Sequence, residues 1–398
     1  MFPEFYQTVL QRHLSQSQYL TLQLLVLLLQ SCRQVRLSRL ASVFPQPIRY
    51  QSRLRNLQRF LVLPQLSVRL LWFPIIKYWI RQEYKDRKPN RAQQRRLKKL
   101  QHKKYGYLVI AIDRTQWEDR NLFVASVVWG KHALPIYWEL IDTNGNSSLA
   151  KHKAVLRPVL KLLKPFPVVV VGDREFHSPK LATWLYERGV DFALRQKKSC
   201  NMQEPDSEYQ ALKSMGFKPG MSKFFQGIFC HKTENLGPFN MAIYWKRKYR
   251  GKGPKEPWYI LTSLPTLKQT LDIYKARWGI EMMFKDCKTG GYNMEDTKVN
   301  DKRFLALFLL IAIAYSLAIC QGEFLKVMGV QEYICRIEEA QRREPRHSDF
   351  WIGLYGQAWG YAMRVWSQLA TDLMILKPHK RLYFQRGLSA LSLIPSAV

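Results

Sequence analysis

A short stretch near residue 280 carries side chains well suited to chemistry. It spans residues 274–288, with the sequence YKARWGIEMMFKDCK. On a single helix, at about 100° per residue, four polar side chains would fall within an arc of roughly 60°: Tyr274, Arg277, Glu281 and Lys288. A carboxylate in that company can bind a hard cation, while the other three groups can bind phosphate oxygens. The alternative is a solvated helix face with ordinary charge pairs at i,i+4 spacing.

Two aspartates provide further carboxylates. Asp113 ends the apolar run 107–113, and Asp173 ends the run 168–173. Both runs are typical of buried strands, and the ends of strands are where a sheet exposes side chains at a crevice. The alternative for either aspartate alone is a turn or a helix cap.

Three carboxylates packed together repel one another, so they need cations to remain ionised. We therefore predict Asp113, Asp173 and Glu281 as catalytic, metal-binding residues, with two Mg²⁺ ions as cofactors and Mn²⁺ as a substitute. Two ions about 4 Å apart can activate water or a 3′ hydroxyl on one side of a phosphodiester and stabilise the leaving oxygen on the other. This predicts in-line displacement at phosphorus without a covalent enzyme intermediate.

The elements that would position the two aspartates follow one another between residues 105 and 195. Apolar runs and helical patterns predict three strands, a helix, a strand, a helix and a strand, in that order. The strands are predicted at 107–113, 122–129, 134–141, 168–173 and 191–195, and the helices at 150–163 and 178–188. This order resembles a ribonuclease H-like fold. The predicted fold class is α/β, with that core at 105–195 and 258–327.

Residues 196–257 have a different pattern, with frequent Gly and Lys and no helical period. Short runs at 224–229 and 241–245 predict antiparallel strands, so we interpret 196–257 as an all-β insertion in the core. A strand at 258–264 and a helix beginning at Thr266 would then lead into the Glu281 stretch. The uncharged run 304–320 is predicted to be a buried helix against a sheet.

The first 104 residues are predicted to form a helical, basic, DNA-binding region, with residues 84–104 as a charged connector. Arg53 and Arg59 would lie on the exposed sides of one helix, where arginine can contact phosphate and guanine edges. The alternative is an ordinary solvated helix face. Residues 328–398 form a C-terminal region without a pattern that assigns its role.

The charge balance is extreme. There are 63 Lys and Arg against 30 Asp and Glu, which gives a net charge of +33. Such a surface favours a polyanionic partner, and nucleic acid is preferred over an anionic membrane. The run 304–320 is at the short limit for a membrane span. Six scattered cysteines without a C-x-x-C pair indicate neither a zinc ribbon nor a disulfide framework, which fits a reducing cytoplasm.

Three motifs together resemble the DDE transposases of bacterial insertion sequences, specifically the insertion-sequence-four type. They are IAIDRT around Asp113, VVGDREF around Asp173, and the Y-R-E-K signature from Tyr274 to Lys288. The resemblance extends over about residues 105–292. It implies that the two aspartates and Glu281 form a metal-binding triad.

The resemblance also implies DNA contacts. Tyr274, Arg277 and Lys288 would hold the phosphate near the transposon's 5′ end. Trp258, four residues before Thr262, would stack on a flipped base during hairpin formation, the alternative being a core Trp. Arg174 would contact phosphate or pair with Glu175.

The implied activity is cut-and-paste movement of an insertion sequence, by cleavage at terminal inverted repeats and strand transfer into target DNA. The implied partners are double-stranded DNA and, on the DNA ends, a second copy of the chain, with residues 328–398 as the dimerisation region. No small-molecule substrate and no membrane are expected, and the location would be the bacterial cytoplasm, with the nucleoid. The alternatives are a catalytically inactive DNA-binding derivative and a basic membrane-associated protein.

Overall fold

A computed structural model describes residues 2–83, 101–117, 120–141, 147–247, 253–337 and 346–394. The predicted charged connector, 84–104, lies outside the described residues up to residue 100. The thirteen helices of the described residues are α1 Glu4–His13, α2 Gln16–Cys32, α3 Leu37–Val43, α4 Tyr50–Phe60, α5 Phe73–Glu83, α6 Leu149–Leu162, α7 Pro179–Tyr186, α8 Leu267–Lys275, α9 Trp278–Cys287, α10 Asp301–Val327, α11 Asp349–Val365, α12 Ser367–Ile375 and α13 Arg381–Ser392. Short 3₁₀ and π turns occur between them.

Ten described strands form one sheet. They are β1 Leu108–Trp117, β2 Arg120–Trp129, β3 His132–Ile141, β4 Val168–Gly172, β5 Asp191–Arg195, β6 Asn201–Gln203, β7 Gln210–Ala211, β8 Ser222–Cys230, β9 Leu236–Tyr244 and β10 Trp258–Thr262. Their order is β3-β2-β1-β4-β5-β10-β9-β8-β6-β7. The protein is therefore a mixed α/β structure with a large sheet and many helices.

The chain forms two compact units, one of residues 1–78 and 285–398 and one of residues 79–284. The sheet belongs to the second unit. Its centre is the parallel set β1, β4 and β5, with β2 and β3 continuing it antiparallel on one side. Every residue of β4 is buried, which accounts for its unbroken valine run, because a strand covered on both faces needs no polar alternation. The predicted domain boundaries at residues 104, 195, 257 and 327 stay predictions.

Strand β1 is longer than the sequence analysis expected. The strand was predicted to end at Asp113, but β1 continues to Trp117, and its residues from Asp113 to Trp117 pair with β2. The prediction was wrong because these residues are held in the strand by hydrogen bonds to β2. A search for apolar periodicity does not detect such hydrogen bonds.

The residues between β5 and β10 extend the same sheet. Strand β10 pairs antiparallel with β5 on one side and with β9 on the other, and β9 pairs with β8. The predicted runs at 224–229 and 241–245 fall largely within β8 and β9. The strands of this segment, β6 to β9, thus extend the sheet beyond β10, which pairs with β5 on its other side.

The predicted single helix through residues 274–288 is wrong. Helix α8 ends at Lys275 and α9 begins at Trp278, with Ala276 and Arg277 in a turn between them. The backbone N–H groups of these two residues donate three residues back, to Ile273 and Tyr274, at 3.1 Å each. Such tightened bonding interrupts the α-helical pattern. Tyr274, Arg277 and Glu281 therefore belong to a helix, a turn and a second helix.

A glycine lets α9 lie against the edge strand β3. A Cβ on Gly279 would stand 2.5 Å from the carbonyl oxygen of His132. No side chain larger than hydrogen fits that approach without a shift of the backbone. Gly279 therefore permits the close approach of α9, the helix that carries Glu281, to β3.

Helix α10 is the core of the first unit. It is 27 residues long and most of its residues are buried. Its neighbours within this unit are helices, chiefly α11 and α2, whereas the sequence analysis expected a sheet. By length and hydropathy α10 could span a membrane, but 83% of its most apolar window is buried inside the protein, as in a core helix. A buried hydrogen bond of 2.8 Å joins the hydroxyls of Tyr6 and Ser316.

The last helices of the first unit expose many apolar side chains. None of the residues of α12 is buried. Leu369, Leu373 and Leu376 are 62%, 63% and 74% exposed, at the spacing of one helix face. An apolar stripe of this kind is typical of a surface that binds another macromolecule.

Candidate active site

Asp113 and Asp173 come from neighbouring parallel strands. Ile112 of β1 lies opposite Gly172 of β4, the last pair in the register. One residue further, both chains carry an aspartate, Asp113 still within β1 and Asp173 directly after β4. The parallel register therefore brings the two carboxylates side by side where β4 ends.

A backbone N–H group orients each carboxylate. The N–H of Arg114 donates to Oδ1 of Asp113 at 2.8 Å, and the N–H of Glu175 donates to Oδ1 of Asp173 at 2.8 Å. Asp173 thereby caps the short 3₁₀ turn Arg174–Phe176. The capping role left open for Asp173 in the sequence analysis is present, together with its position beside Asp113.

Arg277 connects the first aspartate to the glutamate. Its Nη1 lies 3.3 Å from Oδ2 of Asp113, and its Nη2 donates to Oε1 of Glu281, one helical turn further along the chain. The Arg277 side chain is only 13% exposed. A largely buried guanidinium thus lies between two of the three predicted acids.

The pKa of Asp113 is raised from 3.8 to about 7. Burial is the main cause, and the negative charge of Asp173 adds to it, while Arg277 opposes it. Glu281 raises it further. The three predicted acids are therefore close enough to affect one another electrostatically. Since the charged form of Asp113 is disfavoured, an added cation would stabilise it.

The oxygen donors fit a hard divalent cation such as Mg²⁺ in their chemistry. Their arrangement is not a closed cage: among the described residues no group of three His, Cys, Asp or Glu side chains is gathered closely enough to hold one ion. Arg277 provides the positive charge between Asp113 and Glu281. Asp113 and Asp173 are accordingly the two carboxylates that could hold a cation together, while Glu281 is paired with Arg277.

Tyr274 lies next to Arg277, on the buried side. It is 3% exposed, and its ring centroid is 5.9 Å from the guanidinium carbon. Burial raises the pKa of its hydroxyl. Neither that hydroxyl nor Nε of Arg277 has a hydrogen-bond partner among the described residues. Two buried donors without acceptors are suited to an incoming anionic oxygen.

The region that holds these side chains matches a protein family. The family described as Transposase DDE domain matches residues 104–317, which is more than half of the 398-residue chain. The chain belongs to the transposase DDE domain family. This agrees with the resemblance to DDE transposases in the sequence analysis.

One solved structure similar to this DDE-domain chain is a cryo-EM structure of the piggyBac transposase synaptic complex with hairpin DNA. The sequence identity is 16% and the TM-score is 0.32. The match covers 73% of this chain and 58% of that chain, so this chain spans less than two thirds of the length of the piggyBac chain. No curated protein sequence matches this chain.

Trp258 packs beside Tyr274 in the DDE domain. Their rings meet edge to face with centroids 5.2 Å apart, and Trp258 also contacts Tyr244 of the adjacent strand at 6.0 Å. Trp258 is half-buried. It is part of the packing behind Tyr274 and retains some exposed surface.

Arg174 is exposed and pairs with Glu256. Its neighbour Glu175, the partner considered in the sequence analysis, instead pairs with Arg114 at 3.1 Å. Glu256 also accepts from Arg195 at 3.4 Å. Arg174 therefore has a protein partner that a DNA phosphate would have to replace.

The other three predicted DNA-binding residues of this DDE-family chain belong to the first unit. Lys288 follows α9 and pairs with Glu295 at 2.7 Å. Arg59 is exposed on α4, while Arg53 is half-buried and donates to the carbonyl of Phe44 at 3.4 Å. The structure thus brings Asp113, Asp173, Glu281, Tyr274 and Arg277 together in the second unit. Lys288, Arg53 and Arg59 are described only within their own unit.

Two features near the site were not predicted from the sequence. One is Trp278, whose side chain is 60% exposed directly after Arg277, and the other is the ion pair between Arg114 and Glu175. The motifs contained both members of the pair, because an arginine follows Asp113 in IAIDRT and a glutamate lies two residues after Asp173 in VVGDREF.

Proposed function

We propose that the protein is a transposase of the insertion-sequence-four type, with a ribonuclease H-like catalytic core. It cuts DNA at the terminal inverted repeats of an insertion sequence and joins the freed 3′ ends to target DNA. The observation that carries this proposal is the pairing of Asp113 with Asp173 at the end of β4, with Glu281 linked to Asp113 through Arg277. These residues all lie within the segment that matches the transposase DDE domain.

In the proposed reaction a water, and later a DNA 3′ hydroxyl, attacks phosphorus in line with the leaving oxygen. The new P–O bond forms as the old one breaks, and the proton of the nucleophile passes to solvent. Asp113, Asp173 and Glu281 would hold the divalent ions, and the chemistry that bound ions would supply is activation of the nucleophile and stabilisation of the leaving oxygen. Tyr274 and Arg277 bind the non-bridging phosphate oxygens with their unpartnered donors.

Binding of DNA is proposed to use several further side chains. Lys288, Arg174, Arg53 and Arg59 bind backbone phosphates, as the net charge of +33 supports. Trp258 and the exposed Trp278 present indole faces for stacking on bases. The N-terminal helices with α4 are proposed as the region that reads the DNA ends, and the cytoplasm, with the nucleoid, as the location.

A second copy of this chain is the proposed protein partner on the DNA ends. The exposed leucine stripe of α12 supports this proposal. With Leu369→Glu and Leu373→Glu combined, the complex with two DNA ends should be lost in favour of one protein on one end, measured by light scattering after size exclusion. Thr371→Glu, on another face of α12, is the matched control and should assemble normally. If the leucine variant still assembles with two DNA ends as wild type does, α12 is not part of the interface between the two copies.

The proposed function is tested with a labelled terminal inverted repeat and Mg²⁺. The sequence of the substrate is taken from short inverted repeats that bracket the gene. A duplicated target sequence outside these repeats identifies them as the ends of the element. Wild type should cut it, while Asp113→Ala and Glu281→Gln should bind but not cut, because they remove one carboxylate each from the metal-binding set. Glu234→Gln removes a carboxylate that pairs with Lys180 and should cut normally. Binding without cutting by wild type would instead support an inactive DNA-binding derivative.

A further inference from the structure

An ion pair joins the two residues that flank the paired aspartates. Nε of Arg114 lies 3.1 Å from Oε2 of Glu175, and the side chains are 16% and 15% exposed. Arg114 follows Asp113 in β1, and Glu175 lies two residues after Asp173, past the end of β4. The pair therefore connects the two acid-bearing segments directly, at the point where the ladder between β1 and β4 ends.

The same two residues also hold the aspartates through the backbone. The N–H of Arg114 donates to Asp113, and the N–H of Glu175 donates to Asp173, both to Oδ1 at 2.8 Å. Arg114 and Glu175 thus each bind the nearby aspartate, Asp113 or Asp173, through a backbone N–H group. Their side chains bind each other and so join the two acid-bearing segments. Any change in the separation of Arg114 and Glu175 would change the separation of the two carboxylates.

Glu175 is itself fixed from a third direction. Its Oε1 accepts from the hydroxyl of Ser147 at 2.8 Å, and that hydroxyl lies 2.7 Å from Nε2 of His152 in α6. Since the hydroxyl donates its one proton to the carboxylate, it must accept from His152, which places the imidazole proton on Nε2. His152 is 2% exposed, and its ring lies against Phe123 and Phe176 at centroid distances of 5.7 and 4.9 Å.

We propose that Arg114 and Glu175 are positioning residues that hold Asp113 and Asp173 at the separation at which both carboxylates bind one divalent cation. The inference rests on the proposed function, because it needs the cation-dependent reaction. Two adjacent carboxylates repel each other without a cation, and an ion pair between their neighbours resists that separation. The hydrogen bonds from His152 to Ser147 and from Ser147 to Glu175 keep the Glu175 carboxylate oriented toward Arg114.

Direct binding of Mn²⁺ to the full chain without DNA tests the proposal, with free Mn²⁺ measured by electron paramagnetic resonance. Glu175→Gln keeps an acceptor for Ser147 but loses the charge, and Arg114→Gln removes the other partner. Each should weaken Mn²⁺ binding about tenfold, the usual effect of losing a group that orients a metal ligand. Glu234→Gln, which removes a carboxylate from the ion pair with Lys180, is the matched control and should bind as wild type does.

A double-mutant cycle separates positioning from a general loss of structure. If the two residues act as one unit, Arg114→Gln with Glu175→Gln should bind Mn²⁺ no more weakly than either single variant. Arg114→Lys retains the positive charge and should bind Mn²⁺ more tightly than Arg114→Gln does. If the Gln variants unfold, the Mn²⁺ affinity of Arg114→Lys tests the proposal in their place. Additive losses, or affinities equal to that of wild type, would overturn the proposal.

Failure of the proposed function would look different. If wild type binds Mn²⁺ no better than Asp113→Asn does, the cation site itself is wrong, and the positioning role falls with it. If wild type binds in an Asp113-dependent manner while Glu175→Gln and Arg114→Gln bind equally well, the positioning proposal alone is overturned.

Discussion

Arg277 donates from Nη1 to Oδ2 of Asp113 at 3.3 Å, across 164 residues of sequence. This contact attaches the turn between α8 and α9 to strand β1. It also places a fixed positive charge at the carboxylate whose charged form is disfavoured by burial and by Asp173. The arginine thus partly offsets the burial and the negative charge of Asp173, which both raise the pKa of Asp113.

The raised pKa of Asp113 predicts a pH-dependent stability. Because the folded state holds a proton up to about pH 7 and the unfolded state only to about 4, stability falls as pH rises between these values. In metal-free buffer, Asp113→Asn should therefore gain stability relative to wild type at pH 8, by at most about 4 kcal/mol, and gain little at pH 4. Thermal unfolding at both pH values measures this.

Magnesium should reverse that difference. Added Mg²⁺ should raise the Tm of wild type at pH 8, since it stabilises the ionised carboxylates, and leave Asp113→Asn nearly unchanged. A variant that gains as much stability from Mg²⁺ as wild type does would show that the ion binds elsewhere.

His152 predicts a pH dependence of the opposite sign. Burial lowers its pKa from 6.5 to about 4, so on acidification the unfolded state takes up a proton before the folded state does. Stability should fall as pH drops from about 6.5 to 4, by roughly 3 kcal/mol from this residue. His152→Gln should flatten the curve in that window, as followed by urea unfolding. An equally steep loss in the variant would assign the acid sensitivity to other groups.

Gly279 predicts a steric requirement. In Gly279→Ala the new methyl group would meet the His132 carbonyl oxygen at 2.5 Å, so α9 must shift away from β3. We expect a loss of about 1 to 3 kcal/mol in the free energy of unfolding, together with reduced DNA cleavage. Gly360→Ala is the control: that glycine also lies inside a helix, but its Cβ would stand 3.5 Å from Ile394. Equal effects of the two substitutions would contradict the close approach at Gly279.

Arg277 predicts a change in the salt dependence of DNA binding. If its unpartnered Nε and the Tyr274 hydroxyl bind one phosphate, Arg277→Gln should flatten the plot of log K against log salt concentration by about one unit. Fluorescence anisotropy with a labelled inverted repeat measures the slope. Lys213→Gln, in a short 3₁₀ turn of the second unit, is a control for the general loss of one positive charge. Equal slopes for wild type and Arg277→Gln would exclude a phosphate contact at Arg277.

The sequence by itself determined the local parts of this protein. Continuous valine in 168–171 predicts a fully buried strand, and Asp173 follows it after one glycine. The three-strand meander, the helix beginning after Thr266 and the basic surface followed from patterns that each residue's near neighbours create. The motifs around Asp113, Asp173 and Glu281 also indicated the family, because their residue types and spacing are set by the chemistry.

Only the tertiary structure decided how those parts meet. The continuation of β1 past Asp113 depends on pairing with β2, and the break at Arg277 accompanies the approach of α9 to β3. The ion pair of Arg114 with Glu175 joins a residue of β1 to a residue in the turn after β4. The periodicity of apolar residues predicts burial along one segment of the chain. The features above depend instead on the distance between segments that are far apart in sequence, and the hydrogen bonds and packing of the folded chain determine that distance.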